Sequence, residues 1–268
     1  MKNFKIKDTF SLAWEDSKKN WKFMIGALLI VAIIGFLDGV FGVNQDETTM
    51  ETTGSVLFSI ISQIVIIYFT AGFMLETIKI VDGKKPCLKT MFAWPVNFVH
   101  GLKYFVAYII YSFLMLTPVM LALSYIIYSV MESGVPTGSL IALGIVALLL
   151  TIIIGMFIGF AYYLIVENRN GIFSNIKRSF EMVRGNFWKV LSWHLIILGI
   201  LILVGVIVGI LITIHPIAIL IFTVLLIPVI LIFMIWVSIS YAHLYRKIDP
   251  EVTEVVKIDE EDKKNIEV

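Results

Sequence analysis

The sequence predicts an all-α membrane protein in which six transmembrane helices form three hairpin repeats, each preceded by a cytoplasmic amphipathic helix. Three observations lead to this fold class. Of the 268 residues, 59% are hydrophobic and 15% are charged, and the mean hydropathy is +0.94, whereas about a quarter of the residues in soluble domains are charged. The hydrophobic residues fall into six long runs. All 21 basic residues lie on one side of those runs.

Six stretches are long enough to cross a hydrocarbon core of about 30 Å, which takes about 20 helical residues. In chain order, the predicted spans are Lys22–Phe41, Ser55–Ile80, Lys103–Val130, Gly138–Val166, Trp188–Ile214 and Ile217–Tyr245. Several exceed the minimum crossing length, so we expect them to tilt or to project beyond the bilayer. The first run is too long for a signal-peptide core and has no small-residue cleavage site, so it is expected to remain as an anchor.

Basic residues flank the predicted spans on one side only, and this sets the predicted orientation. They occur before span one, between spans two and three, between spans four and five, and after span six. The opposite connections, Gly42–Gly54, Met131–Thr137 and His215–Pro216, contain none. Because basic loops are retained in the cytoplasm, we expect a multi-pass protein of the cell (plasma) membrane with both termini cytoplasmic.

Charge also separates two predicted regions, a six-helix transmembrane domain over residues 1–248 and an acidic cytoplasmic tail over residues 249–268. The tail has 8 acidic and 3 basic residues, a net charge of −5. It has too little apolar material for a core, so it is predicted to be disordered or to serve as a short partner-binding segment. Without the tail, the cytoplasmic side carries 18 basic and 7 acidic residues, a net of +11. Anionic lipid headgroups are the natural neighbours of such a basic belt.

A motif of Ile or Leu, Lys, two further residues and Phe recurs before spans one, three and five. It occurs at Ile6–Phe10, Leu88–Phe92 and Ile176–Phe180, at separations of 82 and 88 residues. The motif predicts three units, each made of an amphipathic helix, an outward span, a short loop and a returning span. The alternative is that any inner membrane interface selects Lys, Phe and Trp. Around the third copy, the apolar stripe is Phe173, Ile176, Phe180 and Val183, and the charged face is Lys177, Arg178, Glu181 and Arg184.

Three stretches carry a resemblance to a known group of proteins: IKIVDGKKPCLKTMF from Ile78, IKRSFEMVRGNFWKV from Ile176 and ISYAHLYRKI from Ile239. The chain resembles mostly uncharacterised prokaryotic six-helix membrane proteins related to the membrane domain of glycerophosphodiester phosphodiesterases. In that family a soluble catalytic domain sometimes follows the membrane part. Here the sequence ends about twenty residues after the last span, so phosphodiesterase chemistry is not expected of this chain.

Ionisable residues are almost absent from the middle of the spans, which argues against chemistry inside the membrane. Asp38 is expected near the outer interface, and Glu76 is expected to pair with Lys79 on the same helix face. No phosphate-binding loop, nucleophile elbow or metal-ligand motif occurs. The chain is therefore predicted to be non-enzymatic, with no cofactor and no metal. An intramembrane enzyme acting on lipid headgroups is the least favoured hypothesis, and its candidate residues are His194, His243, Glu76 and Glu167.

Two functional hypotheses remain ahead of that one. The leading hypothesis is a protein that engages anionic lipid or a membrane partner through Lys7, Lys89, Lys177, Arg178, Arg184 and Trp188. The alternative is a small-solute transporter or channel whose polar cavity, near proline kinks in spans three and six, is lined by Gln63, Thr117, Pro118 and Pro228. The predicted partners are anionic membrane lipids, with another membrane protein or a second copy of the chain as the alternative, and no nucleic acid. Three Gly-x-x-x-Gly pairs, beginning at Gly35, Gly155 and Gly205, predict close helix packing within the bundle or between copies.

Overall fold

The computed structural model describes residues 4–41, 49–92, 95, 98–131, 137–167, 171–214 and 216–249. These residues form eight α-helices and no strand. In chain order they are α1 Ile6–Phe41, α2 Thr49–Val81, α3 Leu88–Phe92, α4 Phe98–Met131, α5 Thr137–Val166, α6 Ile172–Gly185, α7 Phe187–Ile214 and α8 Pro216–Ile248. Six of the eight, all except α3 and α6, are long and apolar enough to cross a membrane. Each predicted span lies inside one of these six helices, so the predicted all-α class with six candidate membrane-spanning helices is confirmed, whereas the hairpin repeats and the cytoplasmic amphipathic helices stay predictions.

The three segments that carry the repeated motif differ in form. The first is continuous with span one in a single helix, Ile6–Phe41, because no proline or glycine interrupts the chain before Gly26. The second is the five-residue helix α3. The third is the separate helix α6, which ends where Asn186 donates its backbone N–H to the carbonyl of Val183 at 2.9 Å. The equivalence of the three units therefore stays a prediction.

The described chain divides into two compact units. Unit 1 comprises residues 1–101 and 195–268, and it contains α1, α2, α3, α8 and most of α7. Unit 2 comprises residues 102–194, and it contains most of α4, all of α5 and α6, and the start of α7.

Unit 1 is built on the packing of α1 against α8 and α2. An apolar cluster joins these three helices through Ala13, Met24, Ile80, Ile235 and Ile239, all of them buried. A second cluster, formed by Ala27, Phe69 and Met91, joins α1, α2 and α3. The first and last helices of the described chain are therefore neighbours.

Unit 2 is built on the packing of α6 against α5. The face of α6 that contacts α5 carries the small polar residues Asn175 and Ser179, both fully buried, and Ser179 donates to the carbonyl of Phe157 at 2.5 Å. In contrast, Phe173 of the predicted apolar stripe is 73% exposed and Phe180 is 48% exposed. Small side chains let the two helix backbones approach closely, while the phenylalanines stay at the margin of the contact. Helix α6 therefore has a small polar face in addition to the apolar and charged faces that the sequence predicts.

The predicted glycine pairs pack less than expected within this chain. A methyl group added at Gly35, Gly39, Gly205 or Gly209 would meet nothing within 4 Å among the described residues. At Gly155 an added methyl group would meet the Cε atom of Met115 at 3.3 Å. Close packing within the bundle is thus not seen at the first and third pairs, and packing between copies remains a prediction.

Candidate functional site

Each copy of the repeated motif packs its phenylalanine against an aromatic ring of a long helix. Phe10 of α1 contacts Trp236 of α8 at 4.9 Å between ring centroids, Phe92 of α3 contacts Phe69 of α2 at 5.2 Å, and Phe180 of α6 contacts Phe157 of α5 at 4.4 Å. Such pairs contribute about 0.5–1.5 kcal/mol beyond the area they bury. The phenylalanines therefore hold the three segments, despite their different forms, against the apolar helices.

The lysine of each motif lies three residues before its phenylalanine and points away from the chain. Lys7, Lys89 and Lys177 are all exposed, and none of them forms an ion pair with a residue that the structure describes. Phe92 and Phe180 remain 60% and 48% exposed beside their lysines. A free ammonium group next to a partly uncovered ring is suited to a lipid, since the ring can contact acyl chains while the cation reaches a headgroup.

Helix α6 and the start of α7, both in unit 2, carry the other residues that the sequence predicts for lipid or partner binding. Arg184 lies exposed in the last turn of α6, where the helix dipole favours a cation. Trp188 is 76% exposed and meets Phe187 edge-on at 5.4 Å between centroids. Arg178 is half-buried. An uncovered tryptophan beside cations is typical of the membrane–water interface.

In unit 1, Glu76 fixes the position of α3 and so of Lys89. The Glu76 side chain is fully buried and accepts hydrogen bonds from Lys79 Nζ at 2.6 Å, from Thr90 Oγ1 at 2.6 Å and from the backbone N–H of Cys87 at 2.9 Å. The predicted pairing of Glu76 with Lys79 is confirmed, whereas the contacts to Cys87 and Thr90 were not predicted. They depend on the turn after α2, where Gly83 adopts a φ of +73°.

The end of α8 is attached to α1 and α2 by polar contacts that the sequence did not predict. Arg246 donates two hydrogen bonds to Asp82, from Nε at 2.9 Å and from Nη2 at 2.7 Å. His243 Nε2 lies 2.8 Å from Asp16 Oδ2. His243 and Glu76, both named for an intramembrane enzyme, therefore contact different partners instead of each other. The other two residues of that hypothesis, His194 and Glu167, belong to unit 2.

The residues predicted to line a cavity are distributed over the two units. Gln63 and Pro228 belong to unit 1, and Thr117 and Pro118 to unit 2. Gln63 donates to Asp38 Oδ2 at 3.2 Å, and Thr117 donates to the carbonyl of Phe113 in its own helix at 2.7 Å. Both α4 and α8 continue through their prolines. The two polar side chains thus make hydrogen bonds to a neighbouring helix or to their own helix.

These features define a polytopic membrane protein whose exposed lysines lie beside partly uncovered aromatic rings. Residues 55–215 match the model of a family described as a protein of unknown function (DUF4013). Because the match covers more than half of the 268 residues, the chain belongs to that family. No curated protein and no solved structure matches the chain.

Proposed function

We propose that this protein is a non-enzymatic membrane protein that engages anionic lipid through a basic belt on the cytoplasmic side of the plasma membrane. The observation that carries the proposal is the shared surrounding of Lys7, Lys89 and Lys177, each exposed within three residues of a phenylalanine held on an aromatic ring. We also propose that both termini lie in the cytoplasm and that the chain is related to the membrane domain of glycerophosphodiester phosphodiesterases.

The physical basis of the proposal is that the attractions of the three lysines to an anionic membrane surface add up, while the motif phenylalanines contact the acyl chains. A basic residue near an anionic membrane surface contributes about 1 kcal/mol. Three lysines therefore contribute about 3 kcal/mol, or roughly 100-fold in preference for an anionic over a neutral headgroup. In unit 2, Arg184 and the uncovered ring of Trp188 follow Lys177 along the chain, at the end of α6 and the start of α7.

Neutralising the motif lysines tests the proposal. The variant Lys7→Gln, Lys89→Gln and Lys177→Gln is extracted gently from membranes of mixed phosphatidylglycerol and phosphatidylethanolamine, and retained lipid is identified by native mass spectrometry. The retained anionic fraction should fall. A matched control neutralises three charged residues on the predicted outer side, Asp46→Asn, Glu47→Gln and Glu51→Gln. An equal phosphatidylglycerol fraction in the test variant and the control would contradict the proposal, and loss of a co-purifying membrane protein in its place would favour a protein partner.

A second candidate function, a solute carrier or channel, has one supporting observation. The hydrogen bond between Gln63 and Asp38 joins a carboxylate and an amide between α1 and α2, and the second carboxylate oxygen of Asp38 is enclosed without a hydrogen bond among the described residues. Asp38 is expected near the outer interface, and ionisable groups inside membrane spans often mark solute or proton pathways. Solute flux into liposomes that contain the pure protein, abolished by Gln63→Leu, would favour this function over the first.

A further inference from the structure

The end of α8 lies beside two free lysines of unit 1. The paired hydrogen bonds from Arg246 to Asp82 hold this end of α8 against the end of α2. Two and three residues after Asp82 come Lys84 and Lys85, both exposed and neither in an ion pair within the described part of the chain. Because consecutive Cα atoms are about 3.8 Å apart, the Cα of Lys84 lies within about 8 Å of that of Asp82.

A second pair of lysines lies near the same helix end, at the start of α1. Lys247 donates to Thr9 Oγ1 at 3.4 Å and lies 5.5 Å from the centre of the Phe4 ring, so the start of α1 is also a neighbour of the α8 end. Lys5 and Lys7 are exposed there. The chain therefore leaves α8 near two sources of positive charge.

The sequence that follows α8 has the opposite charge. Residues 250–268 contain 7 acidic and 3 basic residues, and four of the acids are consecutive at Asp259–Asp262. This run begins ten residues after Asp249. Ten residues span at most roughly 35 Å, which sets the distance from the α8 end that the run can reach. Tethering within this reach gives an effective concentration of about millimolar, so a contact within the chain is populated when its dissociation constant is about 1 mM or lower, which corresponds to about −4 kcal/mol.

We propose that the acidic run Asp259–Asp262 docks on Lys84 and Lys85 of the same chain and competes there with anionic lipid. An anionic membrane surface repels the run, whereas the free ammonium groups beside the α8 end attract it. The competition between the run and anionic lipid rests on the proposed function, but the docking itself requires no lipid. When the run occupies Lys84 and Lys85, these two lysines cannot bind lipid headgroups.

Cross-linking in lipid-free nonionic detergent tests the docking directly. A carbodiimide, which couples only a carboxylate and an amine in contact, should join residues 259–262 to Lys84 or Lys85, as read by peptide mass spectrometry. Mixing ¹⁵N-labelled with unlabelled protein separates links within one chain from links between chains. The absence of these links, or links only between copies, would overturn the proposal.

Amine reactivity provides an independent readout on the full chain. Neutralising the run with Asp259→Asn, Glu260→Gln, Glu261→Gln and Asp262→Asn should raise the acetylation rate of Lys84 and Lys85 several-fold relative to Lys177. The matched control removes the same number of charges from the predicted outer loops, with Asp46→Asn, Glu47→Gln, Glu51→Gln and Glu132→Gln, and should leave the rate unchanged. Equal rates in the two variants would count against docking.

Lipid retention separates this inference from the proposed function. If both hold, the variant with the neutralised run should retain several-fold more phosphatidylglycerol than the outer-loop control. Cross-links to Lys84 and Lys85 in a protein that retains no anionic lipid in any variant would uphold the docking and refute lipid engagement. Increased retention without any cross-link would refute the docking and leave lipid engagement standing.

Discussion

Replacing Glu76 with alanine should release α3 from α2, because the buried carboxylate makes three hydrogen bonds to this region. Hydrogen bonds to a charged group contribute about 1.5–3 kcal/mol each. The Lys79 side chain is 26% exposed and regains water when its partner is removed, so the lysine bond contributes less. Most of the lost stability therefore comes from the backbone N–H of Cys87 and the hydroxyl of Thr90, which lose their acceptor when Glu76 is replaced. We expect a loss of about 3 kcal/mol in the local stability of α3, which corresponds to roughly 100-fold in the opening equilibrium.

Hydrogen exchange measures this opening. In the native protein the amide of Cys87 is bonded to Glu76 at 2.9 Å, and the amide of Met91 is bonded to the carbonyl of Cys87 at 3.2 Å. Both amides should exchange roughly 100-fold faster in Glu76→Ala, and by an intermediate factor in Glu76→Gln, which keeps one acceptor oxygen. Glu15, an exposed acid of α1, provides the control substitution Glu15→Ala. If exchange in Glu76→Ala stays within about threefold of that control while the helical content is retained, the assigned role of the carboxylate is wrong.

Two further substitutions test the close contacts of α3 and α6. Gly72→Ala should destabilise the protein, because a Cβ at this position would overlap the carbonyl oxygen of Met91. Gly26→Ala should instead stabilise the protein by about 0.5–1 kcal/mol, because an added Cβ there would meet nothing within 4 Å. The free energies of unfolding of the two variants are compared in mixed micelles. Ser179→Leu should cost about 1–3 kcal/mol by overpacking the contact with α5, whereas Ser174→Leu on the exposed side of α6 should change the exchange of α6 amides little. Similar behaviour of the two glycine variants, or of the two serine variants, would show that these contacts are not close.

The transmembrane helices could be predicted from the sequence because their signal is local. A run of about 20 apolar residues crosses a membrane whatever its neighbours are, and each predicted span therefore falls inside an observed helix. The pairing of Glu76 with Lys79 was also local, since residues three apart share a helix face. The exposure of the lysines in the repeated motif could also be predicted from the local sequence, because a cation beside an apolar helix is rarely buried.

The features that could not be predicted from the sequence depend on contacts between residues distant in the chain, or on the size of a side chain instead of its polarity. The contact of His243 with Asp16 joins positions 227 residues apart, and no periodic pattern relates them. Hydrophobic periodicity placed the apolar stripe of α6 but did not identify Asn175 and Ser179 as the contact with α5, because what selects them is their small volume. The aromatic partners of the motif phenylalanines likewise follow from tertiary packing alone.

The packing of the first helix against the last has a consequence for biosynthesis. Asp16 and Thr9 of α1 find their partners His243 and Lys247 only 227 and 238 residues later in the chain. At a translation rate of about 5–20 residues per second, the ribosome needs roughly 10–45 s to deliver α8. During that interval Asp16 and Thr9 of α1 lack their final neighbours, so a ribosome that stalls before α8 leaves the nascent chain with a first helix whose polar groups are unmatched.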